Sequence, residues 1–268
     1  MLGAIIGDTV GSRFEWDNHK SKKFTFFTDQ CHPTDDSMMT LAVAKAILEV
    51  KSGPGQPFSE KILKEKAISY MQEIGNKYPY AGYGGSFIYW LRDPNPEPYN
   101  SWGNGAAMRV SPCGYAADSL EEALEMSDIV TEVTHNHPEG IKGARAVTEA
   151  IYMAKNGADI GEIENMINDK YYSLDFTLDG IRDEYEFDVS CMGSVPQAIE
   201  AFIESESFED TIRNAISIGG DSDTIAAIAG SIAQAYYGVP DDMRQQLLSY
   251  LDDYQTDIFL EYEKTFMK

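Results

Sequence analysis

Two short acidic stretches carry the residues best suited to chemistry. Thr34-Asp35-Asp36-Ser37 stands before one apolar run, and Gly219-Gly220-Asp221-Ser222-Asp223-Thr224 stands before another, IAAIAGSIAQAYY. The periodicity predicts helices over 37–51 and 224–237, so each acidic stretch lies at a helix N-terminus. Asp, Ser and Thr cap helices there, and negative charge opposes the positive end of the helix dipole. Capping accounts for one acid per helix. It accounts poorly for two adjacent acids, and worse for two on a helix apolar nearly all round, which must be buried. Unpaired buried carboxylates are costly and repel one another. A cation removes that cost. Carboxylates with Thr or Ser hydroxyls make an all-oxygen donor set, which suits Mg²⁺, Mn²⁺ or Ca²⁺ and not zinc. If Glu15 joins Asp35, Asp36, Asp221 and Asp223, five carboxylates converge. Two ions about 3.5–4 Å apart fit that charge better than one. Capping and metal binding both stay open at this point.

Other segments have two readings each. Gly103-Asn104-Gly105 lacks a side chain at two of three positions, so its backbone N–H groups could approach a diphosphate. It is equally a tight Asn-Gly turn. Arg109 could offset phosphate charge or pair with an acid, and is left out of the site. His135 and His137 lie between two helices, where an imidazole usually caps or is satisfied in the core. Tyr78–Phe87, aromatic and glycine-rich, reads as a stacking wall or lid, or as core packing with turns. Cys113 and Cys191 sit in no activating motif and read as small core residues.

Helices must position these groups. Gly3, Gly7 and Gly11 recur every four residues, which predicts that another helix crosses very close. Ala4, Asp8, Gly11 and Glu15 share the neighbouring face. Further helices are predicted over 60–75, from the capping box Ser119–Glu122 to about Thr134, from Pro138 to near Gly157, over 159–169, 194–204 and 207–217, with two more in the C-terminal tail. Residues 76–118 read as structured loops with short helices, KSKKFTFFT as a short strand or extended loop, and 171–188 as extended or irregular. The expectation is one all-α domain over 1–268.

The 268 residues suffice for a real core. Lys plus Arg is 21 and Asp plus Glu is 44, a net charge of −23, while 43% hydrophobic residues exclude a disordered acidic tail. Such acidity argues against non-specific nucleic-acid binding. Three scattered cysteines make neither a disulfide framework nor a cysteine-type zinc site. The first residues have no basic region, and Asp8 interrupts their apolar run, so neither a signal peptide nor a membrane span is expected. The default is a cytoplasmic protein, with a monomer sufficient.

Five segments in order give the sequence a resemblance to the ADP-ribosylglycohydrolase family: Gly3–Asp8 through Gly11 to Glu15; Thr34–Ser37; Gly103–Arg109; Thr134-His135 with Pro138, Gly140 and Gly143-Ala144; and Gly219–Thr224 running on to Gly230. The resemblance implies a compact all-α bundle of orthogonally packed helices with a metal site in a cleft at helix N-termini. It implies two Mg²⁺, or Mn²⁺, held by Thr34, Asp35, Asp36, Asp221, Asp223 and Thr224, with Glu15 at the same centre. Gly103, Asn104, Gly105 and Met108 would line a ribose and diphosphate pocket, and His135 would contact the ligand. The implied activity is hydrolysis of the glycosidic bond at the anomeric carbon of an ADP-ribosyl group on a protein side chain, nucleobase or small molecule, releasing ADP-ribose. Glu15 or Asp36 would handle the proton. A non-hydrolytic ADP-ribose binder and a metal-dependent phosphohydrolase that cuts the diphosphate are the alternatives. Ser37 stands where the family more often has Thr, and the chain starts almost at the first motif, which predicts fraying of the first helix.

Overall fold

Apolar helix faces, too many to bury singly, are buried against each other. The computed structural model describes residues 1–267. Among these the regular structure is helical, with no strand and one isolated bridge pairing Gly103 with Ser190. The helices are α1 (Leu2–Gly11), α2 (Asp35–Val50), α3 (Glu60–Lys77), α4 (Gly85–Arg92), α5 (Gly105–Met108), α6 (Ser111–Ala116), α7 (Leu120–Glu132), α8 (Pro138–Lys155), α9 (Ile160–Lys170), α10 (Leu178–Ile181), α11 (Cys191–Ile203), α12 (Phe208–Ser217), α13 (Ser222–Tyr237), α14 (Asp241–Leu248) and α15 (Asp253–Phe266). A 3₁₀ turn, Ser12–Phe14, extends α1. The all-α expectation holds, and the predicted helices agree to within a few residues at their ends.

α1 and α13 form the central pair. A Cβ on Gly3 would lie 2.0 Å from the Gly230 carbonyl oxygen, one on Gly7 2.0 Å from that of Ala226, and one on Gly11 2.6 Å from the Asp223 Cα. The glycine spacing is therefore a seat for a crossing helix, as predicted. α1 is buried along its whole length, and α13 from Ser222 to Gln234. α2 lies against α1 and is flanked by α3 and α15, while α11, α12 and α8 cover α13. This packing brings the N-termini of α2 and α13 together. At the start of the first helix, where fraying was expected, the Met1 amine and Gly3 N–H both donate to Gln234 Oε1, at 3.0 and 2.7 Å.

One local expectation changes, and two open readings are settled. Ser119 caps α7 through the Glu122 N–H, but Glu122 does not return the bond to Ser119. Its carboxylate instead takes the Asp118 N–H at 2.6 Å and the buried Lys51 ammonium at 2.6 Å, because a buried charge must be paired. KSKKFTFFT forms no strand; its Phe24, Phe26 and Phe27 pack against the core, and Arg213 donates to the Lys22 and Phe24 carbonyls. Segment 171–188 is irregular apart from α10, whose first N–H, Leu178, donates to Glu204 Oε1 at 2.8 Å.

Candidate functional site

The acidic stretches meet because α1 supplies a carboxylate that holds one of them in place. Asp8, buried on α1, accepts from the Thr34 N–H at 2.9 Å, the Thr34 hydroxyl at 2.6 Å, the Ser37 N–H at 3.0 Å and the Ser37 hydroxyl. It thus satisfies helix-terminal donors that α2 leaves open. Asp36 turns across to α13, where its Oδ2 accepts from the Thr224 hydroxyl at 3.0 Å. Its Oδ1 is buried without a partner. Asp221 is held at Oδ2 by the Asn104 amide at 2.6 Å, and Asn104 also donates to Ser194 Oγ at 3.0 Å.

Carboxylate oxygens of Asp8, Asp36 and Asp223 lie within 4.8 Å of one another, and so do those of Glu15, Asp221 and Asp223. The two groups share Asp223. Asp35 is in neither group, yet it lines the same cleft, with its N–H on the Ala81 carbonyl at 2.8 Å. The Thr34 and Thr224 hydroxyls are engaged by Asp8 and Asp36.

Among the described residues no lysine or arginine pairs with these carboxylates. Burial, then the charge of Asp223 and Asp8, pushes the Asp35 and Asp36 carboxyls well above the usual range. Burial and Asp221 do the same to Asp223. Asp8 is raised by burial against the pull of its donors. Asp221 is pushed up to about 6, chiefly by burial, and Glu15 to about 7 by burial, then Asp223 and Asp8. Repelling carboxylates with an unpartnered inward oxygen form an all-oxygen set that could hold a divalent cation.

A cavity of about 740 Å³ runs from this centre past Tyr83 and Phe87 to the Gly103–Gly105 loop and His135. Gly103, Asn104, Gly105, Met108 and His135 all line it, as do Glu15, Asp35, Asp36, Asp221, Asp223 and Thr224. Thr34 is buried behind the wall. The loop glycines serve close approach to the imidazole: a Cβ on Gly105 would sit 3.2 Å from His135 Nε2, and one on Gly103 3.5 Å. The loop is less of an N–H cradle than its sequence suggests. Gly103 N–H donates to Ser101 Oγ at 3.1 Å and Asn104 N–H to the Val189 carbonyl at 2.8 Å.

The undecided segments resolve individually. His137 caps α8 through the Glu139 N–H at 3.1 Å. Cys113 and Cys191 are buried, and burial pushes the Cys191 thiol up to about 12. Tyr83 and Phe87 are both core and cleft wall, with Phe87 stacked on Trp90 at 5.4 Å, while Tyr80 is 97% exposed and lies outside the cleft. Among the described residues Arg109 meets no carboxylate; its guanidinium is buried against Val130, Thr131 and Thr134.

Sequence reasoning missed Asp8 as a member of the cluster. The available signal was an acid interrupting an apolar helix on the face it shares with Glu15. It also missed the cleft mouth, where exposed Trp16 stacks on Phe187 at 4.9 Å.

Comparison with known proteins gives a consistent result. A family profile described as ADP-ribosylglycohydrolase matches residues 1–265. The human (Homo sapiens) protein ADP-ribosylhydrolase ARH3 is 25% identical, over 97% of this chain and 90% of its own length. ADP-ribosylarginine hydrolase Tri1 of Pseudomonas putida is 26% identical, over 89% of this chain and 70% of its own length. A solved chain of an ADP-ribosylglycohydrolase-related protein complex has the same fold, with a TM-score of 0.63 at 20% identity, over 99% of this chain and 96% of that one.

Proposed function

This chain belongs to the ADP-ribosylglycohydrolase family and is an enzyme of that kind, and from that premise we propose that it is a metal-dependent hydrolase of the glycosidic bond at the anomeric carbon of an ADP-ribosyl group. The observation that carries the reading is the pair of carboxylate groups joined at Asp223, with Asp36 Oδ1 unpartnered, at one end of a cleft. Asp35, Asp36, Asp221, Asp223, Thr34 and Thr224 would hold two Mg²⁺, or Mn²⁺. Bound there, the ions supply the positive charge that lets an acidic cleft accept an anionic, hydroxyl-rich substrate and that acidifies a water.

The chain's own groups do the rest. Gly103, Asn104, Gly105, Met108 and His135 line the cleft next to the acids, where the ribose and diphosphate would fit. Asn104 ties that loop to Asp221, so binding and acidic ends keep a set spacing. Attack on the anomeric carbon passes through an oxocarbenium-like state, which neighbouring carboxylates stabilise. Glu15, partly exposed at the cleft, takes the proton of the attacking water, or Asp36 does so from beneath. The leaving atom is a nitrogen or oxygen of a protein side chain, nucleobase or small molecule. We take residues 1–268 as one domain, since one cluster of buried side chains runs through all the major helices. Its three cysteines are free and buried, which suits the cytoplasm, and no helix among the described residues is long and apolar enough to cross a membrane.

A panel of differently linked ADP-ribose substrates with Mg²⁺ or Mn²⁺ tests the reading. Release of ADP-ribose supports it, AMP indicates a phosphohydrolase, and binding without products indicates a sensor. Glu15→Gln or Asp36→Asn should lower turnover by at least ~10²-fold; near-normal rates in both remove the proton role. Exhaustive chelation should abolish activity and Mg²⁺ or Mn²⁺ restore it; full activity in EDTA ends the metal reading.

A further inference from the structure

Behind the cleft, a chain of buried polar groups leads to His135. Arg109, 1% exposed, turns its Nη2 toward three acceptors: the Val130 carbonyl at 3.1 Å, the Thr131 carbonyl at 3.5 Å and Thr134 Oγ1 at 2.6 Å. Thr134 Oγ1 in turn lies 2.6 Å from His135 Nδ1. A guanidinium can only donate, so Thr134 Oγ1 is an acceptor toward Arg109. The hydroxyl has one proton, and His135 Nδ1 is its only other hydrogen-bond partner. If Nδ1 carried a proton, the hydroxyl would accept twice and leave its own hydrogen buried without a partner, which costs a full desolvation penalty. The hydroxyl therefore donates to Nδ1, and the ring proton of the neutral imidazole sits on Nε2.

We propose that Arg109 and Thr134 are positioning residues that lock His135 in its Nε2–H tautomer, presenting a neutral hydrogen-bond donor to an oxygen of the ligand's diphosphate. The ligand part of this inference rests on the function proposed above; the tautomer does not. Nε2 bonds no other group of the protein, lies beside the two loop glycines, and belongs to a residue that lines the cleft. Burial, and then the nearby Arg109 guanidinium, disfavours a proton on the ring's second nitrogen. A donor fixed in this way pays no reorganisation when an anionic acceptor arrives.

Nitrogen-15 NMR of protein labelled at its four histidines reads the tautomer directly, in EDTA and without substrate. The His135 signals are identified by their loss in His135→Gln. In the unsubstituted protein Nε2 should be protonated and Nδ1 not. Thr134→Val should give a mixture of tautomers, Thr134→Ser should keep the original, and Arg109→Met, which frees the hydroxyl to accept from the ring, should also mix them. Calorimetric affinity for ADP-ribose should fall about tenfold in Thr134→Val and stay near the parent value in Thr134→Ser. An Nδ1–H ring in the parent, or a tautomer unchanged by Thr134→Val in a protein that melts normally, overturns the lock. A changed tautomer with unchanged ADP-ribose affinity overturns the donor role. Absence of turnover on every ADP-ribosyl substrate, with the tautomer as expected, sinks the function reading and leaves the lock standing.

Discussion

Asp8 shows how one carboxylate can organise a site from another element. Its two oxygens collect two N–H groups and two hydroxyls from the Thr34–Ser37 turn. Asparagine keeps the shape but offers one accepting oxygen, and its amide would face donors. Asp8→Asn should therefore cost about 1–3 kcal/mol in urea unfolding without divalent ions; an unchanged midpoint would show that the turn holds itself. The other acids of the cluster were legible because paired carboxylates before a buried helix have no comfortable structural explanation. Asp8 was not, because its partners lie 26 and 29 residues along the chain and no local pattern marks them. Asp35 was legible as an acid but not by position: facing the Gly82 turn, it stays outside both close carboxylate groups. The role of Thr134 was equally hidden, since a hydroxyl between a guanidinium and an imidazole appears only when the Arg109 and Thr134-His135 segments are packed together.

The glycine stripe on α1 sets how accurately the two acidic helix ends face one another. At Gly7 the crossing is tightest, since an added methyl would fall 2.0 Å from the Ala226 carbonyl oxygen and 2.3 Å from its carbon. Backbone cannot yield as a flexible side chain does, so Gly7→Ala should destabilise by about 1–3 kcal/mol or more through overpacking. It should also reduce activity beyond that loss, by moving Asp223 relative to Asp8; parent-like unfolding and turnover would refute the tight seat. Helix positions and this crossing were readable from period and glycine spacing. The Glu122 bonds were not, because the capping-box pattern carries no information about Lys51, which arrives from the end of α2. The irregular course of 171–188 was readable, but its α10 turn was not, because the Leu178 N–H rests on the distant Glu204.

Across the whole molecule, the excess of acids leaves a buried carboxylate beside an exposed one away from the cleft. Glu200 on α11 is 6% exposed, its Oε2 is unpartnered, and burial followed by Glu204 pushes its carboxyl up to about 7. The folded-state value lies above the usual 4.5, so the native protein holds this proton more tightly than the unfolded chain. Its stabilising contribution is complete below the unfolded value and is lost as pH rises through about 7. Glu200→Gln should melt about 2–4 °C higher than the parent at pH 8, with little difference at pH 4; equal melting curves at both would place the charge in water. Chain order has its own consequence. Asp8 and Asp223 belong to one close group, and the helix that carries Asp223 starts at Ser222. During synthesis on the ribosome, the whole stretch from Asp8 through Asp223 must emerge before those side chains can meet. A nascent or prematurely terminated product that stops between them would have the first acidic stretch without its counterpart, so the acidic centre waits for the second stretch to be made.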